Sequence, residues 1–520
     1  MGSEVASKVE STAEPRWLSW LAAISLGTYA ILCVGPWSQG AWRAEWDSAL
    51  YLETARSLAR GEGYRYLGEA FYLRPPGLPW MLSFLFEEGA GLPIASANRL
   101  LMACAAGSIV ALFFLLRRRF GTLLALAVAL LTGTNPLFVK QFNFILSEFP
   151  YLLLCFLAMA LCASWGKRPL PNYKLSLLQV PLLIGAFYLR SQAILLLPGV
   201  FLLECKRRGW KRALLPTLLI AATCLPWMAH SSDLASQAPS PSRQFKLHDY
   251  STALFHVDPS DPASDRVSIS GWVERIGANG HGLMRNALGS VHLGDQVLEL
   301  EADPESESPA PEPGTSAWGW LLGSALMLAL LAGFGLLLRT GWGLFEWFVL
   351  ANTALILVYF TYAPRLAMPL VPALYLYLLA LPLALTRTRW RWAGQLTANL
   401  LTVILLSANL AQLNKHRQEP ARNQILRRDI NAMATWAREN TPEDAVILCK
   451  QGPMLGLKSD RRTYSSRYEA GPEVLEKYAI DFVIFFGGQG SGMEQEAQRR
   501  GGQSWELEGS KRMVAYELRP

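Results

Sequence analysis

Two carboxylates stand beside long apolar segments, where they could take part in acid–base chemistry. Asp47 follows the first apolar segment by a few residues and opens a segment with the pattern of a short helix. There it can be reached from water and from lipid headgroups, so it could take a proton from an acceptor hydroxyl as general base. The alternative is a helix N-cap, because Asp is favoured there and Ser48 opens the helix. The two interpretations are compatible.

Glu148 opens a later apolar segment, within Ser147-Glu148-Phe149-Pro150. An acid at a membrane border costs free energy unless it is hydrated or paired, which makes it a candidate functional residue. A carboxylate that is merely favoured by the positive end of a helix gives the same pattern. The sequence leaves both interpretations open.

Three arginines stand near apolar segments, and two of them, Arg190 and Arg365, are exceptions to the general placement of positive charge between those segments. Arg190 and Arg365 stand at the outer ends of apolar segments, and Arg74 stands just before the second one, in Leu73-Arg74-Pro75-Pro76-Gly77. Guanidinium groups at this depth suit a lipid phosphate, which they can hold through two hydrogen bonds. For each arginine alone, a long side chain reaching to the headgroups is an alternative. Three together favour a phosphate site.

A metal site is less well supported by the sequence. Five of the six histidines lie between positions 230 and 292, but their spacing matches no standard zinc pattern. The seven cysteines show no disulfide framework and no metal-type spacing. No metal ligands are therefore assigned, and a divalent metal stays an open alternative.

Composition indicates what positions these side chains. Hydrophobic residues make up 51% of the 520 residues and charged residues 17%, below the roughly 25% typical of soluble domains. Stretches such as 121–139 and 317–338 hold few or no charges, as a hydrocarbon core of about 30 Å requires. The net charge of +7 comes largely from short basic clusters between apolar segments. These indicate membrane topology and not a nucleic-acid-binding face.

The pattern predicts about eleven spans. They lie at 17–36, 94–116, 121–139, 147–165, 175–189, 192–205, 213–230, 317–338, 343–362, 366–386 and 393–413. A cytoplasmic N-terminus puts nearly all short basic loops on one side, including Arg117 to Arg119, as the positive-inside rule expects. We therefore predict an inner (plasma) membrane protein whose loops 37–93 and 231–316 and C-terminus face the periplasm or its equivalent.

Two domains are predicted, a transmembrane domain over 1–413 and an extracytoplasmic α/β domain over 414–520. Ser48–Arg60 in the first loop has the pattern of an amphipathic helix that can lie in the interface plane. In the tail, apolar runs predict buried strands at Ala445–Cys449 and Phe482–Phe486. Helices are expected at Asp429–Arg438 and Pro472–Tyr478. Residues 301–315 combine four prolines with five acids and indicate a spacer.

The first loop resembles the opening of GT-C glycosyltransferases, in the branch of bacterial relatives of protein O-mannosyltransferases and aminoarabinose transferases. The resemblance spans about 40–400, and the tail resembles the extracytoplasmic domain often appended there. The landmarks are Asp47, Tyr51-Leu52, Ala55-Arg56, Leu58, Gly61-x-Gly63-Tyr64 and Pro75-Pro76-Gly77, followed by Ser147-Glu148, Leu189-Arg190 and Arg365-x3-Pro369-x2-Pro372.

This resemblance implies an inverting transfer of a sugar from a polyprenyl-phosphate carrier to an extracytoplasmic lipid, glycan or protein. Asp47 would be the catalytic base and Glu148 a second acid that positions the acceptor or donor. Arg74, Arg190 and Arg365 would stabilise the departing phosphate. Two features depart from the family pattern. Ser48 stands where some relatives carry a second acid. Leu73 precedes Arg74 where aminoarabinose transferases carry an acid before a lysine. The missing acid before Arg74 weakens an inferred metal site.

Two other functions fit a polytopic chain. A transporter or flippase of lipid-linked sugars would need polar groups along a path through the bilayer and broken midplane helices. The candidate residues instead gather at one interface. A non-catalytic envelope assembly protein would use the spans as an anchor, for which eleven are many.

Overall fold

The computed structural model describes most of the chain, in segments separated by short gaps. The described residues are 15–38, 46–87, 91–163, 174–237, 254–257, 264–283, 317–339, 341–360, 363–385, 390–418, 420–465, 475, 479–486, 492–500, 503–506 and 513–518. The predicted spacer over 301–315 and most of the predicted helix Pro472–Tyr478 lie outside them.

Helices dominate the described residues. They are α1 (Arg16–Thr28), α2 (Trp46–Ala59), α3 (Gly77–Ser83), α4 (Ile94–Phe120), α5 (Thr122–Thr134), α6 (Pro136–Lys140), α7 (Glu148–Ala163), α8 (Lys174–Leu189), α9 (Leu197–Arg208), α10 (Trp210–Gln237), α11 (Ile269–Leu283), α12 (Ala317–Leu338), α13 (Leu344–Val358), α14 (Val371–Leu385), α15 (Arg391–Gln418), α16 (Pro420–Asn440), α17 (Gly452–Ser459) and α18 (Gly492–Arg499). Tighter 3-10 turns at Ser191–Leu196 and Pro364–Leu370 lead into α9 and α14.

A helix lies in each of the eleven ranges predicted to be spans. Among the described residues, five helical stretches are long and apolar enough to cross a membrane: Arg16–Trp37, Ile94–Phe120, Trp210–Leu234, Pro364–Ala384 and Arg391–Leu413. Further apolar helices are shorter, such as Thr122–Thr134 and Leu344–Val358. The chain is therefore a multi-pass membrane protein, and the count of eleven spans stays a prediction.

Small residues and buried polar groups hold the membrane helices together. Gly107 of α4 and Gly185 of α8 both lie against leucines of α7, which lets the backbones approach closely. Between α5, α14 and α15, the Asn135 and Asn409 amides donate to the Tyr375 hydroxyl at 2.8 and 3.0 Å. In a hydrocarbon environment such groups need protein partners, so this network fixes how these helices pack.

A buried ion pair and a hydrogen bond connect the C-terminal end of α4 to α13 and α12. Arg119 Nη1 lies 2.5 Å from the Oε1 of the fully buried Glu346, and Arg119 Nη2 donates to the Leu337 carbonyl at 3.2 Å. From the sequence, Arg119 is interpreted only as part of a basic loop that indicates membrane topology. The structure shows that it also compensates a buried carboxylate, which costs much free energy when it is left unpaired.

The C-terminal residues form a five-stranded mixed sheet, called here the C-terminal sheet. Its strands are β3 (Val446–Cys449), β4 (Arg462–Tyr464), β5 (Phe482–Phe486), β6 (Ser504–Glu506) and β7 (Met513–Glu517), in the order β4-β3-β5-β7-β6. Strand β3 pairs parallel with β4 and β5, while β7 pairs antiparallel with β5 and β6. The strands β3 and β5 lie where the apolar runs predict them. The assignment of this region to an extracytoplasmic domain stays a prediction.

Helix α2 is more enclosed than the amphipathic pattern predicts. Every residue from Ser48 to Ala55 is buried, and successive helical residues point to different sides, so both faces are covered. On the C-terminal side, Arg56 Nη2 lies 2.9 Å from Asp460 Oδ1, and Arg56 Nη1 donates to the Leu457 carbonyl at 3.3 Å. The predicted helix is present, but α17 and the loop after it cover the face that was expected to meet water.

A short hairpin completes this contact. Strands β1 (Arg65–Tyr66) and β2 (Glu69–Ala70) pair antiparallel. The Tyr66 side chain joins Leu50 and Phe71 in a hydrophobic cluster that also touches Tyr464 of β4. The first loop therefore packs between the membrane helices and the C-terminal sheet.

Candidate active site

Asp47 is held by two of the three predicted arginines. Its Oδ2 accepts a hydrogen bond from Arg365 Nη2 at 2.6 Å, and its Oδ1 lies 3.7 Å from Arg74 Nη2. The side chain of Asp47 is 16% exposed and that of Arg365 is 29% exposed, so water or a ligand can reach the group. Asp47 stands in the first turn of α2, where a negative charge is favoured by the helix dipole.

Hydrogen bonds near the start of α2 fix it against the segment that leads into α7. Ser48 Oγ accepts from the Ile145 backbone N–H at 3.1 Å. One helical turn further on, the hydroxyls of Tyr51 and Ser147 lie 3.3 Å apart. Because Ser147 directly precedes Glu148, these contacts set the position of the second carboxylate relative to the first.

Glu148 forms a buried ion pair with the third predicted arginine. Its Oε1 lies 2.6 Å from Arg190 Nη1, and the two side chains are only 6% and 15% exposed. Arg190 has an extended backbone between α8 and the following 3-10 turn, which turns the chain back at the end of the helix. Among the residues that the structure describes, Glu148 Oε2 is buried and has no hydrogen-bond partner.

A close backbone contact brings the Arg74 loop next to Arg190. The Tyr64 hydroxyl donates to the Arg74 carbonyl at 2.9 Å. At the start of α3, a Cβ atom on Gly77 would lie 2.5 Å from the Tyr188 carbonyl oxygen and 3.0 Å from the Leu189 nitrogen. Only glycine fits here, because real Cβ atoms do not approach backbone atoms so closely. The Pro75-Pro76-Gly77 element is therefore a packing device for the site.

Gly77→Ala is expected to lower stability by about 1–3 kcal/mol, as overpacking does, and to lower activity by displacing Arg74 from Arg190. Thermal unfolding in detergent and sugar transfer measure the two effects. Gly27→Ala is the matched control, because nothing lies within 4 Å of a Cβ added there. An unchanged unfolding temperature and activity in Gly77→Ala would show that the contact is not needed.

The arginines keep Asp47 ionised. Burial alone would raise the pKa of the Asp47 carboxyl, but the charges of Arg365, Arg74 and Arg190 outweigh it and lower the pKa to about 2. The influence of Arg190 links the two ion pairs into one charged cluster. The cluster comprises Asp47, Arg74, Glu148, Arg190 and Arg365, which are the five site residues predicted from the sequence.

The described residues give no metal assignment. Within them, no three His, Cys, Asp or Glu side chains group closely enough to hold a metal ion. Of the five histidines between 230 and 292, the described ones are His230, His256 and His281, and His256 Nδ1 lies 2.9 Å from the Ser264 carbonyl. The divalent metal left open by the sequence stays open.

Several residues that shape the site are missed as such by sequence reasoning. Tyr51, Ser147 and Gly77 belong to the recognised sequence pattern, but their contacts with one another and with α8 cannot be read from it. The amphipathic pattern of Ser48–Arg60 gives no sign that Glu53 and Arg56 are enclosed, yet Glu53 Oε2 lies 2.5 Å from Arg56 Nη2 in the contact with the C-terminal region. No local signal in the sequence identifies Asp460 as a partner of Arg56.

Comparison with known proteins shows the fold. No family model and no curated protein matches the sequence. The crystal structure of ArnT from Cupriavidus metallidurans bound to undecaprenyl phosphate superimposes with a TM-score of 0.58 at 12% identity, covering 97% of this chain and 98% of that one. Its apo state gives a TM-score of 0.53 at 13% identity, covering 96% and 98%.

An archaeal protein shares the same architecture. The oligosaccharyltransferase AglB from Archaeoglobus fulgidus, in complex with an inhibitory peptide and a dolichol-phosphate, gives a TM-score of 0.54 at 13% identity, covering 90% of this chain and 69% of that one. ArnT and AglB are both GT-C glycosyltransferases. This chain therefore has the GT-C fold, and the resemblance seen in its first loop is confirmed at the level of the fold.

Proposed function

We propose that this chain is an inverting glycosyltransferase that moves a sugar from a polyprenyl-phosphate carrier to an extracytoplasmic acceptor. The observation that carries the proposal is the convergence of two carboxylates and three arginines, from distant parts of the chain, in one cluster on a GT-C fold. ArnT binds undecaprenyl phosphate and AglB binds a dolichol-phosphate in structures of the same fold. A phosphate-linked lipid donor fits the arginines here.

The charges of the cluster suit such a donor. Three guanidinium groups and two carboxylates leave one positive charge, and a polyprenyl-phosphate sugar carries one negative charge on its phosphodiester. As the bond to the sugar breaks, negative charge builds on the departing phosphate. Fixed cations beside that oxygen stabilise the transition state more than the ground state. Arg74 and Arg365 serve this role in our scheme, and Arg190 supports them from its pair with Glu148.

Asp47 then takes the proton of the acceptor hydroxyl as it attacks the sugar. In the ligand-free arrangement Asp47 is a weak base, because Arg365 and Arg74 hold its pKa low. A donor phosphate that accepts hydrogen bonds from these arginines places negative charge beside Asp47 and raises its pKa. Donor binding therefore strengthens the base when it is needed, and Glu148 positions the donor or acceptor beside it.

The pH dependence tests this scheme. Since kcat/KM reports groups of the free enzyme, the wild type is expected to show no acidic limb from Asp47 above about pH 4. In Arg365→Gln, loss of the positive charge raises the pKa of Asp47 and its burial adds to this. A base must be deprotonated, so activity should fall on the acidic side at a higher pH than in the wild type.

The matched control is Arg99→Gln, which removes an exposed arginine near the start of α4. It is expected to keep the wild-type profile. A profile of Arg365→Gln that matches the wild type would contradict the electrostatic coupling between Arg365 and Asp47.

Sugar transfer by the purified protein in lipid tests the proposed function itself. A panel of radiolabelled polyprenyl-phosphate sugars is supplied with a crude envelope extract as acceptor, and the labelled product identifies the acceptor class. Transfer supports a glycosyltransferase. Movement of a lipid-linked sugar across sealed vesicles without transfer would instead identify a flippase. Proteoliposomes with defined orientation also test the proposal that site and C-terminal sheet face away from the cytoplasm.

A further inference from the structure

A second candidate binding region lies beside the C-terminal sheet. A cavity of about 1050 Å³ opens between the end of α2, the described residues 86, 87, 91 and 92, and the helices α16 and α17. None of the five residues of the charged cluster lines it. It is therefore distinct from the site around Asp47, although both use the same helix.

Basic side chains dominate the polar lining of this cavity. Among the described lining residues they are Arg56, Arg60, Arg438 and Lys458, and Glu87 is acidic. Asp460 offsets part of this charge through its contacts with Arg56 and Arg60, at 2.9 and 3.9 Å. Arg438 is exposed, and among the described residues it makes no ion pair; its Nε donates to the Ala434 carbonyl of its own helix at 3.3 Å. The guanidinium of Arg438 is thus available to an anion.

Part of the cavity wall is apolar. Phe86 and Leu92, from the chain segment between α3 and α4, line the cavity. Helix α4 is a membrane-spanning candidate. Nearby, Trp80 and Phe84 are 58% and 70% exposed, as aromatic residues at a membrane border often are. A cavity whose lining is partly basic and partly apolar, next to the start of a membrane-spanning candidate, fits an amphiphile with an anionic head.

We infer that this cavity binds the phosphate-bearing head of a lipid acceptor, an inference that rests on the proposed glycosyltransferase function. Guanidinium forks hold phosphate oxygens through paired hydrogen bonds. Thr435 and Asn431 add exposed polar groups to the same wall. A soluble phosphate would meet the same basic residues, but it would not use Phe86 and Leu92.

The helix that joins the two sites limits the size of the acceptor. Arg56 follows Asp47 by nine residues on α2, which places it about 13 Å further along the helix axis. The cavity and the charged cluster thus meet α2 on the order of 13 Å apart along its axis, and an acceptor that reaches both must extend over a distance of this order. A head group of several sugar-sized units meets this condition, and a single small head group does not.

Photolabelling tests the site without requiring activity. The probe is phosphatidic acid with a photoactivatable group near its head, added to the full-length protein in nanodiscs, and labelled peptides are mapped by mass spectrometry. We expect labelling within 56–60, 86–92 or 431–438.

Arg438→Gln combined with Lys458→Gln should reduce the labelling at least fivefold, and Arg438→Gln alone should reduce it partly. Arg499→Gln, a 75% exposed arginine of the same region that does not line the cavity, should retain it.

Competition separates the two sources of phosphate. Excess inorganic phosphate is expected to leave the labelling nearly unchanged, because the apolar wall contributes to binding. Loss of labelling in inorganic phosphate would overturn the lipid part of the inference. Equal labelling in the double variant and in Arg499→Gln, or no labelling of these peptides in the wild type, would overturn the site.

Steady-state transfer separates this inference from the proposed function. The double variant should raise the KM for the envelope acceptor about tenfold or more and leave the KM for the donor unchanged. If the wild type transfers sugar but both constants are unchanged in the variant, the acceptor site is wrong and the function stands. If the wild type transfers nothing while the peptides are labelled, the function is wrong and the lipid-phosphate site stands.

Discussion

Asp47→Asn is expected to lower the turnover of sugar transfer by about 10²–10⁴-fold, the usual contribution of a positioned general base. Asparagine has nearly the same shape but cannot take the proton. Loss of the carboxylate also leaves Arg365 and Arg74 without their anionic partner at 2.6 and 3.7 Å. Both arginines then turn to the phosphate, so the donor should bind as tightly as in the wild type or more tightly.

The opposite directions of these two effects make the test sharp. Turnover is measured with a saturating radiolabelled donor, and donor affinity is measured separately by binding. Asp444→Asn is the matched control, because Asp444 is an exposed carboxylate of the C-terminal region. Weaker donor binding with unchanged turnover would show that Asp47 holds the donor and is not the base. In that case Glu148 becomes the candidate.

The residues of the candidate site could be predicted from the sequence because charged side chains are rare at the borders of membrane spans. Charged residues at span borders are rare and must be paired or hydrated, so their positions stand out against apolar segments. Asp47, Glu148, Arg190 and Arg365 each stand at a border that the topology puts on one side of the membrane. The sequence therefore predicts a shared layer of the membrane, and the structure shows these residues within one charged cluster.

The pairing within that layer depends on packing that the sequence does not show. Arg190 pairs with Glu148 at a place where Gly77 packs α3 onto the end of α8 and Tyr51 contacts Ser147. In the same way, Arg56 reaches a carbonyl 401 residues away in sequence. Its spacing along α2 fits a solvated helix face equally well. Long-range contacts of this kind leave no trace in local periodicity.

Short strands of the C-terminal sheet escape prediction for a related reason. The edge strands Arg462–Tyr464 and Ser504–Glu506 have only three residues each. Neither is long enough to show a period of two. The runs at β3 and β5 are apolar because these strands lie inside the sheet, with neighbours on both sides, and this burial makes them visible in the sequence.

The buried pair of Glu148 and Arg190 gives the second large expected effect. Both side chains are less than a fifth exposed, and removal of one partner from such a pair costs about 3–5 kcal/mol. Arg190→Gln should approach this cost, because it leaves Glu148 as the more buried, uncompensated charge. Glu148→Gln should cost less, since the guanidinium of Arg190 lies near Asp47 and is partly accessible. Thermal unfolding in detergent measures both.

The double variant Glu148→Gln/Arg190→Gln then separates structure from catalysis. With both charges gone, part of the lost stability should return, by about 0.5–3 kcal/mol, the usual coupling between residues in contact. The donor KM should behave differently: if Arg190 supports phosphate binding, it stays raised in the double variant as it is in Arg190→Gln. Recovery of the donor KM together with stability would mean that the pair only holds α7 and α8 in place. In that case Arg74 and Arg365 alone serve the phosphate.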